Sequence, residues 1–133
     1  MIAIDTNLLV RLMVKDDDTQ GAAVEALLRK TGESGQTCFV SDMVLCELEW
    51  VLRTCYRAPR LRVLSAIQEL LDQHLFAFED RSRLHRVVQA YQLGKAELSD
   101  YLIGAKNQAT GAAPTYTFDR KLKGQEGFVI LHA

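Results

Sequence analysis

The sequence predicts an α/β fold, a three-layer α/β/α sandwich around a central, mostly parallel sheet of four to five short strands. The main observation is that short apolar runs alternate along the chain with longer amphipathic stretches, which is the order of strands and helices in a parallel sheet. The second observation is size: 133 residues, 48% of them hydrophobic and 25% charged, suit one domain with one core. We therefore expect residues 1–133 to form a single domain.

The first predicted strand is short and buried, and it ends at Asp5. Apolar residues precede Asp5, and the change to polar Thr6 and Asn7 predicts that a helix starts within one or two residues. In an open parallel sheet, ligands bind beyond the carboxyl ends of the strands. Asp5 is therefore a candidate functional residue, with Thr6 and Asn7 beside it. The alternative is that Asp5 only caps the helix.

The middle of the chain contains three predicted helices and two predicted strands, bounded by polar, glycine or proline residues. The helices lie around residues 22–28, 41–56 and 61–74, and the strands at 38–40 and 76–78. Ser41 is the predicted N-cap of the second of these helices.

The remaining elements are two helices, two strands and a short helical turn. The helices cover about 79–94 and 96–109, and the strands cover 114–118 and 128–131. Gly111 is predicted to cap the second helix. The first of these two strands ends at Asp119, and the helical turn follows it directly.

Trp50 occupies an unusual position on the helix that begins at Ser41. At 100° per residue it lies opposite the main apolar stripe, in company with Cys46 and Arg53. Either a neighbouring helix of the same chain covers the ring, or the ring faces a second copy of the chain or another partner.

Charge and composition exclude several classes of protein. The formal net charge is −1, so nucleic-acid binding would need a local basic patch. No apolar run approaches the roughly 20 residues of a membrane-spanning helix, and the N-terminus lacks a signal-peptide pattern. We therefore expect a cytoplasmic protein with no membrane partner. The three cysteines and three histidines lack the spacing of metal or disulfide motifs, and we treat them as structural or surface residues.

Several acidic residues stand at the ends of elements. Asp5 and Asp119 follow predicted strands. Asp100 lies in the first turn of a helix, one turn after Glu97, and Glu47 lies at the edge of an apolar helix face. Taken singly, each has an ordinary alternative role as a helix cap or a surface charge.

Together, these acids can reach the same carboxyl edge of one sheet. Crowded carboxylates repel each other, and a divalent cation removes that repulsion. Mg²⁺ and Mn²⁺ prefer oxygen ligands, and such a site can activate a water for an in-line phosphoryl displacement. The chemistry that this pattern indicates is phosphodiester hydrolysis.

Four short motifs contain these acids and follow one another along the chain. They are Ile4-Asp5-Thr6-Asn7, Ser41-Asp42 with Glu47, Glu97-Leu98-Ser99-Asp100, and Thr117-Phe118-Asp119-Arg120. In order and spacing they resemble the PIN domain family, and most closely the VapC-type toxins of bacterial toxin–antitoxin pairs. The resemblance covers essentially the whole chain. It implies a metal-dependent ribonuclease that works as a homodimer and is held inactive by a cognate antitoxin protein.

The resemblance also implies roles for single residues. The catalytic residues, which hold Mg²⁺ or Mn²⁺, would be Asp5, Glu47, Asp100 and Asp119. Thr6 and Thr117 would support the site with their hydroxyl groups, and Asn7 stands beside them. Glu97 occupies a position where many relatives have aspartate, so its longer side chain is either a further ligand or a support for the ligands.

Two basic clusters are candidates for RNA binding. One follows a proposed metal ligand directly and consists of Arg120, Lys121 and Lys123. The other lies at a predicted corner between two helices, around Tyr56, and consists of Arg53, Arg57, Arg60 and Arg62. Such cations bind phosphates, and aromatic rings or Arg planes stack on bases. The alternative for the corner cluster is a solvated surface.

Other functions fit less well. A haloacid-dehalogenase-like phosphatase also begins with a strand and an aspartate, but that chemistry needs a second aspartate where Asn7 stands. No GxxxxGK[ST] or GxGxxG motif supports a nucleotide-binding domain. The remaining alternatives are a housekeeping RNA-processing PIN nuclease and a catalytically silent PIN-like module that binds RNA or protein.

Overall fold

The structure, a computed structural model that describes residues 1–133, divides into two compact units, Met1–Arg81 and Ser82–Ala133. The first unit contains, in chain order, β1 (Ile2–Ala3), α1 (Thr6–Met13), α2 (Asp18–Glu33), β2 (Cys38–Val40), α3 (Asp42–Thr54), α4 (Arg60–Asp72) and β3 (Phe76–Phe78). The chain continues through α5 (Arg81–Leu93), α6 (Leu98–Ala109), β4 (Thr115–Thr117), a 3-10 helix (Arg120–Leu122) and β5 (Phe128–Ile130).

The first unit is built on a three-stranded parallel sheet in the order β1-β2-β3. Parallel neighbours need a crossover connection, which α1 and α2 supply between β1 and β2, and α3 and α4 supply between β2 and β3. Ala3 pairs with Phe39, and β3 continues the same register. Asp5, Ser41 and Glu79 therefore follow their strands at the same, carboxyl edge of the sheet.

Polar side chains cap the beginnings of α2 and α3. Asp17 accepts a hydrogen bond from the backbone N–H of Gln20 at 2.9 Å, and Ser41 accepts one from Val44 at 3.2 Å. These bonds satisfy N–H groups that the beginning of a helix leaves unpaired. The prediction that Ser41 is an N-cap is therefore confirmed.

The second unit contains a parallel pair of strands, β4 and β5, with Tyr116 opposite Val129. α6 lies close to β5 because Gly104 faces the ring of Phe128, where a Cβ atom would clash. Beyond the end of α6, Gly111 has a φ of +81°, the left-handed conformation expected of a glycine that ends a helix. The start of α6 and the end of β4, which carry the two predicted site aspartates of this unit, thus belong to one compact body.

The structure confirms the predicted α/β class, with six helices and five short strands that all pair in parallel. The hydrogen-bonded strands form a three-stranded and a two-stranded sheet, and each strand is only two or three residues long. None of these helices is long and apolar enough to cross a membrane.

Candidate functional site

Asp5 lies between β1 and α1 and is the N-cap of α1. Its Oδ1 accepts a hydrogen bond from the backbone N–H of Asn7 at 3.1 Å, and its side chain is exposed. The next residue, Thr6, is buried and begins the helix. The capping role that the sequence suggested for Asp5 is therefore confirmed. The cap uses a single carboxylate oxygen, which leaves the other oxygen for a second role.

α3 carries two acids in contrasting environments. Glu47, a predicted site residue, is exposed. Glu49 is 1% exposed, and its Oε2 accepts a hydrogen bond from Nε of Arg53 at 2.7 Å. Arg53, one of the candidates for RNA binding, is therefore paired with a buried acid of its own helix. The four-residue spacing of an acid and a base on one helix is the sequence pattern that could have identified the pair.

Two further acids lie at the carboxyl edge of the first sheet, and the sequence analysis assigned a site role to neither, although Asp42 belongs to one of the four motifs. Asp42, the first residue of α3, is 5% exposed, and its backbone N–H donates to Oε2 of Glu79 at 2.6 Å. Glu79 follows β3 directly, so the end of one strand supports the beginning of the helix after its neighbour. The position of Glu79 at a strand end was the available signal.

The other arginines of the corner cluster have different surroundings. Arg57 adopts a left-handed backbone conformation with a φ of 53° and is exposed, as is Arg62. Arg60 is the first residue of α4. Arg57 and Arg62 line a groove of about 1310 Å³ that residues of α1, α2, α3 and α4 form. Within this cluster, the structure brings Arg57 and Arg62 together on one groove and pairs Arg53 with an acid.

Glu97 and Asp100 form the beginning of α6. Oδ2 of Asp100 accepts a hydrogen bond from the backbone N–H of Glu97 at 3.0 Å. The backbone N–H of Asp100 in turn donates to the carbonyl of Glu97 at 3.1 Å. These bonds fix the orientation of the Asp100 carboxylate, while the Glu97 side chain is exposed.

Asp119 follows β4 and caps the 3-10 helix. Its Oδ1 accepts a hydrogen bond from the backbone N–H of Lys121 at 2.9 Å. Its own N–H donates to Oγ1 of Thr117 at 3.0 Å, so the hydroxyl expected to support the site contacts the Asp119 backbone. The side chains of Arg120, Lys121 and Lys123 are exposed beside it.

Electrostatic crowding affects Asp100. The pKa of its carboxyl group is raised, mainly because burial disfavours the charged form, and also because of the negative charges of Glu97 and Asp119. The hydrogen bond from the backbone of Glu97 and the positive charge of Lys121 act in the opposite direction. Glu97 and Asp119 are therefore close enough to disfavour the ionisation of Asp100, which a bound cation would favour.

The predicted acidic cluster is divided between the two units. Asp5 and Glu47 belong to the first, and Glu97, Asp100 and Asp119 belong to the second. Neither unit by itself contains three or more His, Cys, Asp or Glu side chains grouped to hold a metal ion. Charges act over longer distances than metal–oxygen bonds of about 2.0–2.6 Å, so crowding within the second unit is compatible with this result. The meeting of the four acids at one sheet edge stays a prediction.

Trp50 is 51% exposed, so no helix of the chain fully covers its ring. Met43, seven residues earlier on α3, is 80% exposed, and Glu47 lies between them on the same helix. Residues spaced by three, four and seven share one side of a helix. α3 therefore presents an exposed face that combines a large ring, a thioether and a predicted site acid.

Comparison with known proteins gives two further findings. The chain is similar to the VapC ribonuclease of Aquifex aeolicus (strain VF5), with 21% identity over 123 residues that cover 92% of this chain and 90% of that protein. No solved structure matches the chain significantly. The sequence model of the PIN domain matches residues 2–126, a range that includes every acid of the predicted cluster. Because this match spans nearly the whole sequence, the chain belongs to the PIN domain family.

Proposed function

We propose that this chain is a ribonuclease that hydrolyses RNA phosphodiester bonds with the help of Mg²⁺ or Mn²⁺. The observation that carries the proposal is its membership of the PIN domain family, together with aspartates after β1, after β4 and in the first turn of α6. Similarity to a VapC ribonuclease over most of both chains supports RNA as the substrate.

The side chains fit a hard divalent cation. Asp5, Glu47, Asp100 and Asp119 offer carboxylate oxygens, which Mg²⁺ and Mn²⁺ prefer. The crowding of Asp100 by Asp119 and Glu97 supports this assignment, because a cation offsets repulsion between carboxylates. A cation bound there would supply an activated water and would stabilise charge on the attacking and leaving oxygens.

Neighbouring groups hold the proposed ligands in place. The Asn7 N–H orients the carboxylate of Asp5, and the hydroxyl of Thr117 orients the backbone of Asp119. Thr6 is buried at the first position of α1, where we expect its hydroxyl to support the same region. Such supporting contacts reduce the reorganisation needed at the moment of reaction.

The scissile strand would contact the 3-10 helix. Arg120, Lys121 and Lys123 are exposed within four residues of Asp119, and cations at this distance can bind the phosphates that flank the cleaved bond. Arg57, Arg60 and Arg62 are a second candidate contact for more distant phosphates. Arg53 is the weakest candidate, because Glu49 already neutralises its charge.

We infer further that the protein is the toxin of a type II toxin–antitoxin pair, active in the cytoplasm as a homodimer and inhibited by a cognate antitoxin. The name of the Aquifex relative supports this role. The exposed face of α3 around Trp50 is a candidate contact with a second copy of the chain or with an antitoxin segment, because large rings are enriched at the centres of interfaces.

The test is a cleavage assay on single-stranded RNA with Mg²⁺, with Mn²⁺ and with EDTA. Cleavage should require the cation, and Asp5→Asn and Asp100→Asn should abolish it. Glu33→Gln, at an exposed position at the end of α2, is the control and should retain full activity. Full activity in EDTA would contradict the metal mechanism. A smaller loss in Glu97→Gln than in Asp100→Asn would indicate a supporting residue, and an equal loss would indicate a direct ligand.

The same assay separates the alternatives. A protein that binds RNA but cleaves none with either cation would be a silent PIN-like module. Among active outcomes, a neighbouring upstream gene for a small DNA-binding protein that inhibits cleavage would support the toxin role. Selective cleavage of a precursor RNA, without such an inhibitor, would favour a housekeeping nuclease.

A further inference from the structure

A small cavity of about 350 Å³ lies between α1 and α2 in the first unit. It is lined from α1 by Asn7, Leu8 and Arg11, and from α2 by Gln20, Ala23, Val24 and Leu27. Its volume is at the lower end of the range of small-molecule sites, so it suits a ligand of a few rings rather than a long segment. No role proposed above uses it.

The walls and the rim of this cavity differ in chemistry. Leu8, Ala23, Val24 and Leu27 make its walls apolar, and Leu27 is 39% exposed although it is a large aliphatic residue. The polar lining residues Asn7, Arg11 and Gln20 carry two carboxamides and a guanidinium, which are planar groups. Apolar walls with planar donors and acceptors match a nucleobase, which has apolar faces and a polar edge.

Two of the polar groups are held in position before any ligand binds. Nε of Arg11 donates to Oε1 of Gln20 at 2.5 Å, and Nη1 of Arg11 donates to Asp16 at 3.3 Å and to the hydroxyl of Tyr56 at 3.4 Å. The side-chain carbonyl oxygen of Gln20 therefore accepts a hydrogen bond within the protein. Its NH₂ group is the part of the carboxamide that could donate a hydrogen bond to a ligand. The guanidinium stays planar and cationic, and such a group can stack on a base.

The cavity begins next to a proposed catalytic residue. Asn7, at its edge, donates its backbone N–H to Asp5 at 3.1 Å. From Asn7 to Arg11 the axis of α1 rises by only about 6 Å, at 1.5 Å per residue. The cavity therefore extends over about one turn of α1 from the residue whose backbone contacts Asp5.

We propose that this cavity binds one unstacked base of a single-stranded RNA, adjacent to the cleaved bond, and so contributes to sequence preference. The inference rests on the proposed ribonuclease function, which identifies the ligand as RNA. The chemistry of the cavity identifies the base as the part of the nucleotide that binds there. The base would lie between the apolar walls, with its edge towards Gln20 and Asn7 and its face towards Arg11.

The test fills the cavity and measures binding without cleavage. Ala23 and Ala26 are both exposed on α2, but only Ala23 lines the cavity, so Ala23→Phe places a ring at the cavity and Ala26→Phe places the same ring outside it. The probes are four labelled heptaribonucleotides that differ only in the central base, and a fifth that lacks a base at that position. Binding is measured in EDTA so that no cleavage occurs. Wild type should prefer one base. Stacking of one base predicts a fivefold to hundredfold loss of affinity in Ala23→Phe, to the level of the abasic probe.

Each outcome decides for or against the base site. Equal affinities of Ala23→Phe and Ala26→Phe, both confirmed as folded by urea unfolding, would overturn it. If Ala23→Phe does not fold, Gln20→Leu takes its place, and an unchanged base preference in that variant would also overturn the site. Loss of binding to an inhibitor protein instead of RNA would show that the cavity accepts an apolar peptide side chain, which also overturns it.

Failure of this inference is distinguishable from failure of the proposed function. A wild-type protein that binds one base preferentially but cleaves no RNA with Mg²⁺ or Mn²⁺ would retain the base site and lose the ribonuclease assignment. A protein that cleaves RNA equally well in Ala23→Phe and Ala26→Phe, with the same preferred cleavage site, would retain the ribonuclease and lose the base site.

Discussion

Two substitutions of Asp5 separate its structural role from its proposed catalytic role. In the structure Asp5 caps α1 through one hydrogen bond of 3.1 Å from the backbone of Asn7. Asparagine caps a helix about as well as aspartate does, but it carries no charge for a cation. Alanine can neither cap the helix nor bind a cation. The pair Asp5→Asn and Asp5→Ala therefore changes the two roles independently.

The expected stability changes follow from the cap geometry. Asp5→Ala removes one hydrogen bond at an exposed helix start, which should lower the free energy of unfolding by about 1 kcal/mol. Asp5→Asn retains the acceptor and loses only the attraction between a negative charge and the helix N-terminus, about 0.3–1 kcal/mol. A cation at ten times its dissociation constant should stabilise wild type by a further ~1.4 kcal/mol, and neither variant should show this gain.

The assays are urea unfolding with EDTA, urea unfolding with Mn²⁺, and RNA cleavage with Mn²⁺. We expect Asp5→Asn to be nearly as stable as wild type in EDTA, yet inactive and insensitive to Mn²⁺. The reasoning would be refuted by an Asp5→Asn protein that retains nuclease activity and the stabilisation by Mn²⁺. In that case Asp5 would be a helix cap and nothing more.

Three further predictions concern other residues. The pKa of Asp100 is raised above its ordinary value of 3.8 in the folded state. Between these two pKa values the folded state binds more protons than the unfolded state, so the free energy of unfolding falls as the pH rises through that interval. Without metal, Asp100→Asn should therefore be more stable than wild type at neutral pH and equally stable below about pH 3.8. Urea unfolding across this pH range in EDTA measures the difference, and a variant that is less stable than wild type at neutral pH would contradict the prediction. Glu49→Ala should cost about 1.5–3 kcal/mol, because it removes a charge-assisted hydrogen bond between a buried acid and the partly exposed Arg53. Glu47→Ala, two residues away on the exposed face, should cost less than about 0.5 kcal/mol but abolish cleavage. Similar stability losses in the two variants would disprove the distinction. Trp50→Ala should lower the free energy of unfolding by only about 1–2 kcal/mol, because half of the residue is already exposed. It should also weaken self-association or antitoxin binding, which sedimentation measures. A loss of 3–5 kcal/mol with unchanged association would exclude the interface role.

Local patterns predicted the types and the order of the elements, but not all of their bounds: β1 ends at Ala3 and is not buried, and α2 spans Asp18–Glu33 instead of about 22–28. The strands at 38–40 and 76–78 have the predicted bounds because short apolar runs flanked by polar residues have few alternative structures. Ser41 caps its helix as predicted, and Asp5 and Asp119 also cap helices, which was the alternative role considered for each of them. Order and spacing of the acidic motifs also indicated the PIN family, which the family comparison confirmed.

The sequence by itself therefore determined the α/β class, the sequence of helices and strands, and the family, all of which depend on short-range patterns. Only the tertiary structure decided which charged side chains form ion pairs or long-range hydrogen bonds. The buried Glu49 pairs with the partly exposed Arg53, and Glu79 accepts a hydrogen bond from the start of α3, 37 residues away in the sequence. The cavity between α1 and α2 likewise appears only when two helices pack together. Burial and long-range contacts depend on which faces of distant segments meet, and a one-dimensional pattern of polar and apolar residues does not specify that.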